Sequence, residues 1–496
     1  MPPQWLSLFV QIGGPVLLAL FLFGDVATLP MELWDESRLA VNAVEMAMTG
    51  ERLVTTYGFQ PDLWNTKPPL VINLMAWWGQ AFGFTTAALR LPSAIAAFVT
   101  VLLLGWLVRR VTGSLGAALA AAVLLAASSG FHGHHAGQTG DYDALLVLFT
   151  TGYGAVLFML LESDRPRHGL AAMAGLLIGL AVLTKSVAGI IPGVGIAAYA
   201  LVFGRVRLWS GAREFALAGA IAALLSGGFY LLRGAGDPRY LAAVAFNELG
   251  GRFGSALEKH SGEPWIYLKY LAHREPAHRW PLLWPLFALG WLAVAGAVAP
   301  WLLAGRERRL AWFALAQAVG VIAVYSAATT KLFWYVEPAL PFISVAVALA
   351  GLGAVRWTRR FGTSAHRVAL TLAGLAVAFA AAQAVVVRYA LPAFADPPPR
   401  AFGRLIAAAA ARGALPLAVL DHGYQNDAQF PNYAPTLRFA SLVARRDGRR
   451  VDQVTGVDQA AATRFVGSCD PKTRDAVADL GPWLWAGDGC VLAARR

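Results

Sequence analysis

Residues 31–47 read MELWDESRLAVNAVEMA and place two adjacent carboxylates, Asp35 and Glu36, directly after an apolar run. Carboxylates so placed can remove a proton or stabilise a developing positive charge. Cations follow at a distance: Lys67 in NTKPPL, Lys185 in VLTKSVAG and Lys331 in TTKLFWYVEP. The stretch FHGHHAGQTGDYDALL supplies His132, His134, His135, Asp141 and Asp143. A loop of about 45 residues before residue 280 adds Arg233, Arg239, Asn247, Glu248, Arg252, His260 and Lys269, and its Trp265, Tyr267 and Tyr270 argue against disorder. Cations and carboxylates are thus both supplied, so charges of either sign on a ligand would find a partner.

Each residue also has a plainer reading. Asp35 can cap a helix running from Glu36 to Thr49 and ending at Gly50, and Asp143 can cap another. Lys185 and Lys331 can snorkel to an interface. A His-x-His-His run without further spaced ligands is a weak metal motif, and solvated histidines satisfy it equally. Tyr267, Trp334 and Tyr335 fit an interfacial aromatic belt as well as a sugar or a lipid tail.

The elements that must position these groups are membrane helices. The 496 residues are 57% hydrophobic and 14% charged, where soluble domains carry about 25% charged residues. Apolar segments of bilayer length recur at 8–28, 91–108, 113–130, 144–161, 169–185, 187–204, 214–232, 280–304, 310–328, 335–355 and 366–390. The expected fold is therefore all-α and polytopic, with about 11–13 transmembrane helices in residues 1–390 and a small soluble α/β domain in residues 391–496. The first apolar run lacks a basic leader and a clear cleavage site, so it reads as a retained anchor. Pro68–Phe84, borderline in length with a Trp pair, reads as an interfacial segment.

Arginine-rich connections around residues 109, 165, 205–213, 306–309 and 356–367 alternate with connections nearly free of Lys and Arg, and positive-inside topology makes the rich set cytoplasmic. The same scatter explains the net charge of +12 without nucleic acid. With this orientation the first loop and the C-terminal domain lie outside. The helix after Asp35, with Arg38, Asn42 and Glu45 on one face and Leu39, Ala43 and Met46 on another, reads as amphipathic and lying on the membrane surface. Cys469 and Cys490, both in the exported domain, are either one disulfide or a free thiol pair. Basic groups on the outer face need an explanation of their own, and an anionic lipid phosphate supplies one.

In its order of motifs the chain resembles the superfamily C glycosyltransferases that use polyprenyl-phosphate sugars, in the branch of the lipid A aminoarabinose transferases and the protein O-mannosyltransferases. The matching pieces are Asp35-Glu36-Ser37-Arg38, Lys67-Pro68-Pro69, Arg90-Leu91-Pro92-Ser93, Asp141-Tyr142-Asp143-Ala144-Leu145, Gly179 to Lys185, Phe246 to Phe253, and Lys331 to Tyr335 with Pro338 and Pro341. One departure is Thr66, where the family commonly has an acidic residue, which puts a metal role for that carboxylate in doubt. The resemblance implies juxtamembrane helices on the periplasmic side and a multi-pass protein of the bacterial inner membrane. It implies transfer of a hexose or pentose, with inversion, from a polyprenyl-phosphate donor to lipid A, another envelope glycan or a protein.

On this reading Asp35, Glu36 and Asp143 are the catalytic candidates. Lys67, Lys185, Arg252 and Lys331 take the donor phosphate, and Arg38, Asp141, His260, Tyr267 and Tyr335 the sugar or acceptor. No cofactor is assigned, and a divalent metal stays open. A lipid-linked-sugar flippase is the rival, but its charges belong near the midplane on repeated broken helices, whereas these stand at span ends.

Overall fold

A bilayer leaves a spanning chain little choice but helix, because backbone groups find no water there. The computed structural model describes residues 4–133, 135–254, 260–272, 295–390, 400–423, 433–460 and 462–495. Its principal helices up to residue 390 are α1 (Gln4–Phe23), α2 (Asp35–Thr49), α3 (Leu70–Phe82), α4 (Thr86–Thr112), α5 (Leu115–Ala127), α6 (Asp143–Leu161), α7 (His168–Lys185), α8 (Gly193–Phe203), α9 (Ala212–Gly236), α10 (Gly305–Ala327), α11 (Leu340–Trp357) and α12 (Thr363–Ala390). Among the described residues seven of these are long and apolar enough to cross a membrane: α4, α6, α7, α9, α10, α11 and α12.

The remaining expected spans come out differently. Helices α5 and α8, at 13 and 11 residues, are shorter than the runs 113–130 and 187–204. Between α7 and α8 the chain forms a 3-10 turn, because Ser186 adopts a left-handed φ of 53° and Pro192 lacks an N–H. Most of the run 280–304 lies outside the described residues. Helix α3, 13 residues or about 20 Å long, is too short to cross, as its sequence suggests. Glycines let the helices approach closely: a Cβ on Gly175 of α7 would stand 2.5 Å from the Ala218 carbonyl oxygen of α9.

Helix α2 corrects two expectations. It begins at Asp35 itself, after Trp34 at φ 72°, and no side chain caps it; Asp35 therefore lies in the first turn rather than at the cap. It ends at Gly50 with φ 78°, as expected. Residues Glu36 to Met46 are buried on every face, so α2 lies under protein rather than on a membrane surface. Leu39, Ala43 and Met46 pack into an apolar cluster with Val71, Ile72 and Met75 of α3.

The polar face of α2 is covered by the hairpin of β1 (Thr56–Tyr57) and β2 (Gln60–Pro61) and by the C-terminal domain. That domain comprises α13 (Phe402–Ala411), β3 (Leu417–Leu420), α14 (Pro435–Arg446), β4 (Val451–Val454), β5 (Phe465–Ser468), α15 (Arg474–Ala478), β6 (Trp483–Gly487) and β7 (Cys490–Ala494). Its sheet runs β4-β3-β5-β7-β6, with the first three strands parallel and the last two antiparallel. Of the two readings for the cysteines the disulfide holds, joining Cys469 after β5 to Cys490 in β7.

Two buried charge clusters dock the domain on α2. Arg38 donates to both oxygens of Asp62, at 3.0 and 2.8 Å, lies 4.3 Å over Tyr57 and 4.4 Å over Trp64, and donates to the Tyr433 hydroxyl at 3.4 Å. Glu45 accepts from Arg438 at 2.7 and 3.1 Å and from the N–H groups of Gly58 and Phe59 at 2.9 and 2.8 Å. Replacing Arg438 by Met leaves a buried carboxylate held by backbone alone, at a cost of about 1–3 kcal/mol. Hydrogen exchange across Phe402–Arg446 should quicken in Arg438→Met; wild-type protection there would refute the docking role.

Candidate active site

The site is built around a buried arginine. Arg90, 1% exposed in the first turns of α4, donates to both oxygens of Glu36 at 2.6 and 2.7 Å and to the carbonyls of Val26, Leu29 and Pro30 at 3.3, 2.8 and 2.8 Å. Glu36 also accepts the N–H groups of Gly140 at 2.8 Å and Glu32 at 2.7 Å. Both of its oxygens are thereby committed, and they fasten the end of the α1 loop, α2, α4 and the turn before α6 at one point.

Asp35, next in the chain, has a different environment. Its side chain is 32% exposed and lies 3.7 Å from Nδ1 of His135. His135, held at φ 66°, is hydrogen-bonded to Asp141 and stacks on Trp334 with ring centroids 3.7 Å apart. Burial disfavours the His135 cation, but the Asp141 carboxylate more than offsets it and raises the imidazole pKa. Asp141 in turn accepts the Tyr142 N–H at 2.6 Å, while Ser93 donates to its backbone carbonyl at 3.1 Å. Asp35, His135 and Asp141 present ligand atoms within 4.8 Å of one another, so this trio could hold a divalent cation.

The other end of the first loop reaches the same segment. Lys67 lies 5.3 Å over the ring of Tyr142, whose hydroxyl donates to Asn65 at 3.0 Å. Among the described residues the nearest carboxylate to Lys67 is Glu248 at 3.9 Å, and Glu248 accepts from the Thr66 hydroxyl at 3.0 Å. The carboxylate missing at position 66 is thus delivered to the same place by the π-helical segment Ala245–Gly250. Tyr240 donates to the Thr66 carbonyl at 2.8 Å and ties that segment to the loop.

Two further cations, Lys185 and Lys331, are spent within the protein. Lys185, ending α7, bonds both oxygens of Asp143, the first residue of α6, at 2.5 Å each; both side chains are buried, and the Lys185 ammonium lies 6.0 Å from the centre of the Tyr335 ring. Lys331 donates to the carbonyls of Tyr325 at 2.9 Å, Ser326 at 2.6 Å and Ala328, closing the C-terminal end of α10. Burial lowers its pKa. Tyr267 accepts the Leu332 N–H at 3.3 Å, Tyr335 packs at a tilt on Tyr325, and the exposed His260 meets Lys331 through its backbone carbonyl. Arg252 lies in the helical turn Gly251–Gly254, and its side chain is outside the described ones, as is His134.

The structure therefore brings Asp35, Asp141 and Lys67 together, pairs Asp143 with Lys185, and turns Arg38, Glu36 and Lys331 toward structural partners. His135 and Trp334 stand nearer the centre than their motifs imply, and Glu248 was legible only as one polar residue among many.

Residues 66–227 match the family model described as dolichyl-phosphate-mannose-protein mannosyltransferase. A search of the curated proteins found no match. Among solved structures, the chain is similar to ArnT from Cupriavidus metallidurans bound to undecaprenyl phosphate, with a TM-score of 0.65 and 18% identity over 100% of this chain and 98% of that one. It is also similar to the apo oligosaccharyltransferase of Archaeoglobus fulgidus, with a TM-score of 0.56 and 14% identity over 92% of this chain and 66% of that one. The same organism's AglB, in complex with an inhibitory peptide and a dolichol-phosphate, gives a TM-score of 0.54 and 13% identity over 94% and 70%. The fold of this chain is like those of ArnT and the archaeal oligosaccharyltransferase, and the family model covers about a third of its length.

The Asp143–Lys185 pair makes a direct claim. Asp143→Asn strands a buried ammonium at a cost of about 3–5 kcal/mol, and adding Lys185→Met recovers most of it. Melting temperatures of the purified single and double variants measure this; equal losses in single and double variants would refute the pairing.

Proposed function

We propose that this membrane glycosyltransferase moves a sugar from a polyprenyl-phosphate donor to an envelope acceptor, lipid A or lipopolysaccharide or another glycan, on the periplasmic face of the bacterial inner membrane. The observation that carries this reading is the convergence of Asp35 and Lys67, from opposite ends of the first loop, on the segment His135 to Asp143. Each retains capacity for a ligand: Asp35 is one-third exposed and Lys67 is 3.9 Å from the Glu248 carboxylate. The ArnT and AglB structures hold undecaprenyl phosphate and a dolichol-phosphate, two polyprenyl phosphates, which supports a lipid-phosphate leaving group.

The chemistry then follows from the charges. The acceptor oxygen attacks the anomeric carbon as the bond to the phosphate oxygen breaks, so the carbon inverts and the phosphate leaves with the electron pair. Lys67 meets the growing negative charge, with Arg252, whose helical turn follows Glu248, as the second cation. Asp35 faces the sugar. For a hydroxyl acceptor it removes the proton; for a phosphate acceptor no base is needed, and Asp35 stabilises the oxocarbenium-like carbon. A divalent cation at Asp35, His135 and Asp141 would add positive charge for the leaving phosphate. Glu36, Asp143, Lys185 and Lys331 hold these groups in place. The match to a protein mannosyltransferase family makes a protein acceptor the second reading.

Asp35→Asn and Lys67→Ala should each lower kcat/KM for transfer from a radiolabelled polyprenyl-phosphate sugar by about 100-fold or more. Near-wild-type turnover in both would sink the assignment.

A further inference from the structure

Helix α14 presents a second set of groups beyond those that dock it. Arg438, Ser441, Leu442 and Arg445 recur at helical spacing and line one side. Gly448, at φ 73°, reverses the chain into Arg449 and Arg450, which lead into the edge strand β4. Between that helical side, β4 and Phe59 of the first loop lies a cleft of about 690 Å³, within the size range of small-molecule sites.

Its lining carries four arginines against the single carboxylate of Asp452. Arg438 is answered by buried Glu45. Arg450 is paired with Asp452 at 2.8 Å and Arg449 with Asp447 at 3.9 Å, but both pairs are exposed, and pairs of that kind hold weakly. Arg445 has no carboxylate partner among the described residues. The helix dipole accounts for a basic last turn, which Arg446, lying over Phe84, also supplies. It does not account for Arg449 and Arg450, which lie beyond the helix.

Resting on the glycosyl-transfer reading, we propose that this cleft is an acceptor subsite that binds the phosphate groups of an anionic envelope glycan. Arginine forks suit phosphate oxygens, and a half-open cleft admits a chain passing through. The placement fits as well. Arg438, at the near wall of the cleft, holds Glu45, which stands ten residues along α2 from Asp35, about 15 Å, and Arg445 lies seven residues, roughly 10 Å, further along α14. An extended oligosaccharide covers the sum of these spans, so its phosphates rest on the arginines while its reacting end reaches Asp35.

The test uses the full-length protein in phosphatidylcholine nanodiscs and the triple variant Arg445→Gln, Arg449→Gln, Arg450→Gln, which spares Arg438 and its docking contact. The probes are phosphorylated oligosaccharide released from bacterial lipopolysaccharide, the same material after phosphatase treatment, and phosphatidylcholine vesicles with and without phosphatidylglycerol. The wild type should bind the phosphorylated probe about tenfold more tightly than either the treated probe to the wild type or the intact probe to the variant, with polyprenyl-phosphate binding unchanged. Equal affinity in wild type and variant overturns the proposal, as does indifference to phosphatase. Arginine-dependent binding confined to the phosphatidylglycerol vesicles also overturns it, in favour of a lipid surface. Wild-type protein that binds the phosphorylated probe but no polyprenyl phosphate upholds the cleft and refutes the glycosyl-transfer reading instead.

Discussion

Glu36 and Arg90 stand 54 residues apart in the chain, and their two-pronged pair is the joint on which the site depends. Burying both charges is costly, and the pair is tenable only because its remaining donors and acceptors are also met. Arg90 spends the rest of its fork on the carbonyls of Val26, Leu29 and Pro30, and Glu36 takes the N–H of Gly140. The groups that complete the pair belong to the segments that carry the chemistry. Asp35 is fixed because Glu36 is fixed, and Asp141 because Gly140 is.

The same economy governs the other buried charges. Asp143 holds Lys185, Asp62 holds Arg38, and three carbonyls hold Lys331. A charge with all its partners in place has little left for a ligand. Asp35 and Lys67 stand apart from this group, since each is close to opposite charge without being saturated by it. Binding energy realised only as charge develops on a substrate is what lowers a barrier. Groups set in place by a rigid frame, with charge left unmet, can supply it.

The helices were largely legible from the sequence because the bilayer sets their length and forbids most alternatives. The shortening of α8 was harder to read, since Ser186 and Pro192 break a run whose hydropathy continues. Helix α2 shows a deeper limit. Its amphipathic spacing is correct, yet periodicity says only that one face differs from the other, and here protein covers both. The site was legible in its parts and not in its pairings. Lys185 and Lys331 look like free cations in one dimension, because Asp143 is 42 residues from Lys185 and the carbonyls that hold Lys331 have no sequence signature. Thr66 looked like a lost carboxylate until Glu248, 182 residues on, was placed against it.

The position of the C-terminal domain has a mechanical meaning. Arg38 and Glu45 lie about one and three turns along the helix that starts with Asp35, and both are pinned from the polar side, by Asp62 and Tyr433 and by Arg438. The apolar side is packed on α3. A helix held on both faces cannot roll, so the direction in which Asp35 points is set by contacts along its length rather than by the loop before it. Rigidity of this kind lets a single carboxylate meet a reacting carbon without reorganising. It also joins the domain to the chemistry: any load on α14 passes through Arg438 and Glu45 into the same helix, and the frame that orients Asp35 therefore includes residues nearly four hundred positions away in the chain.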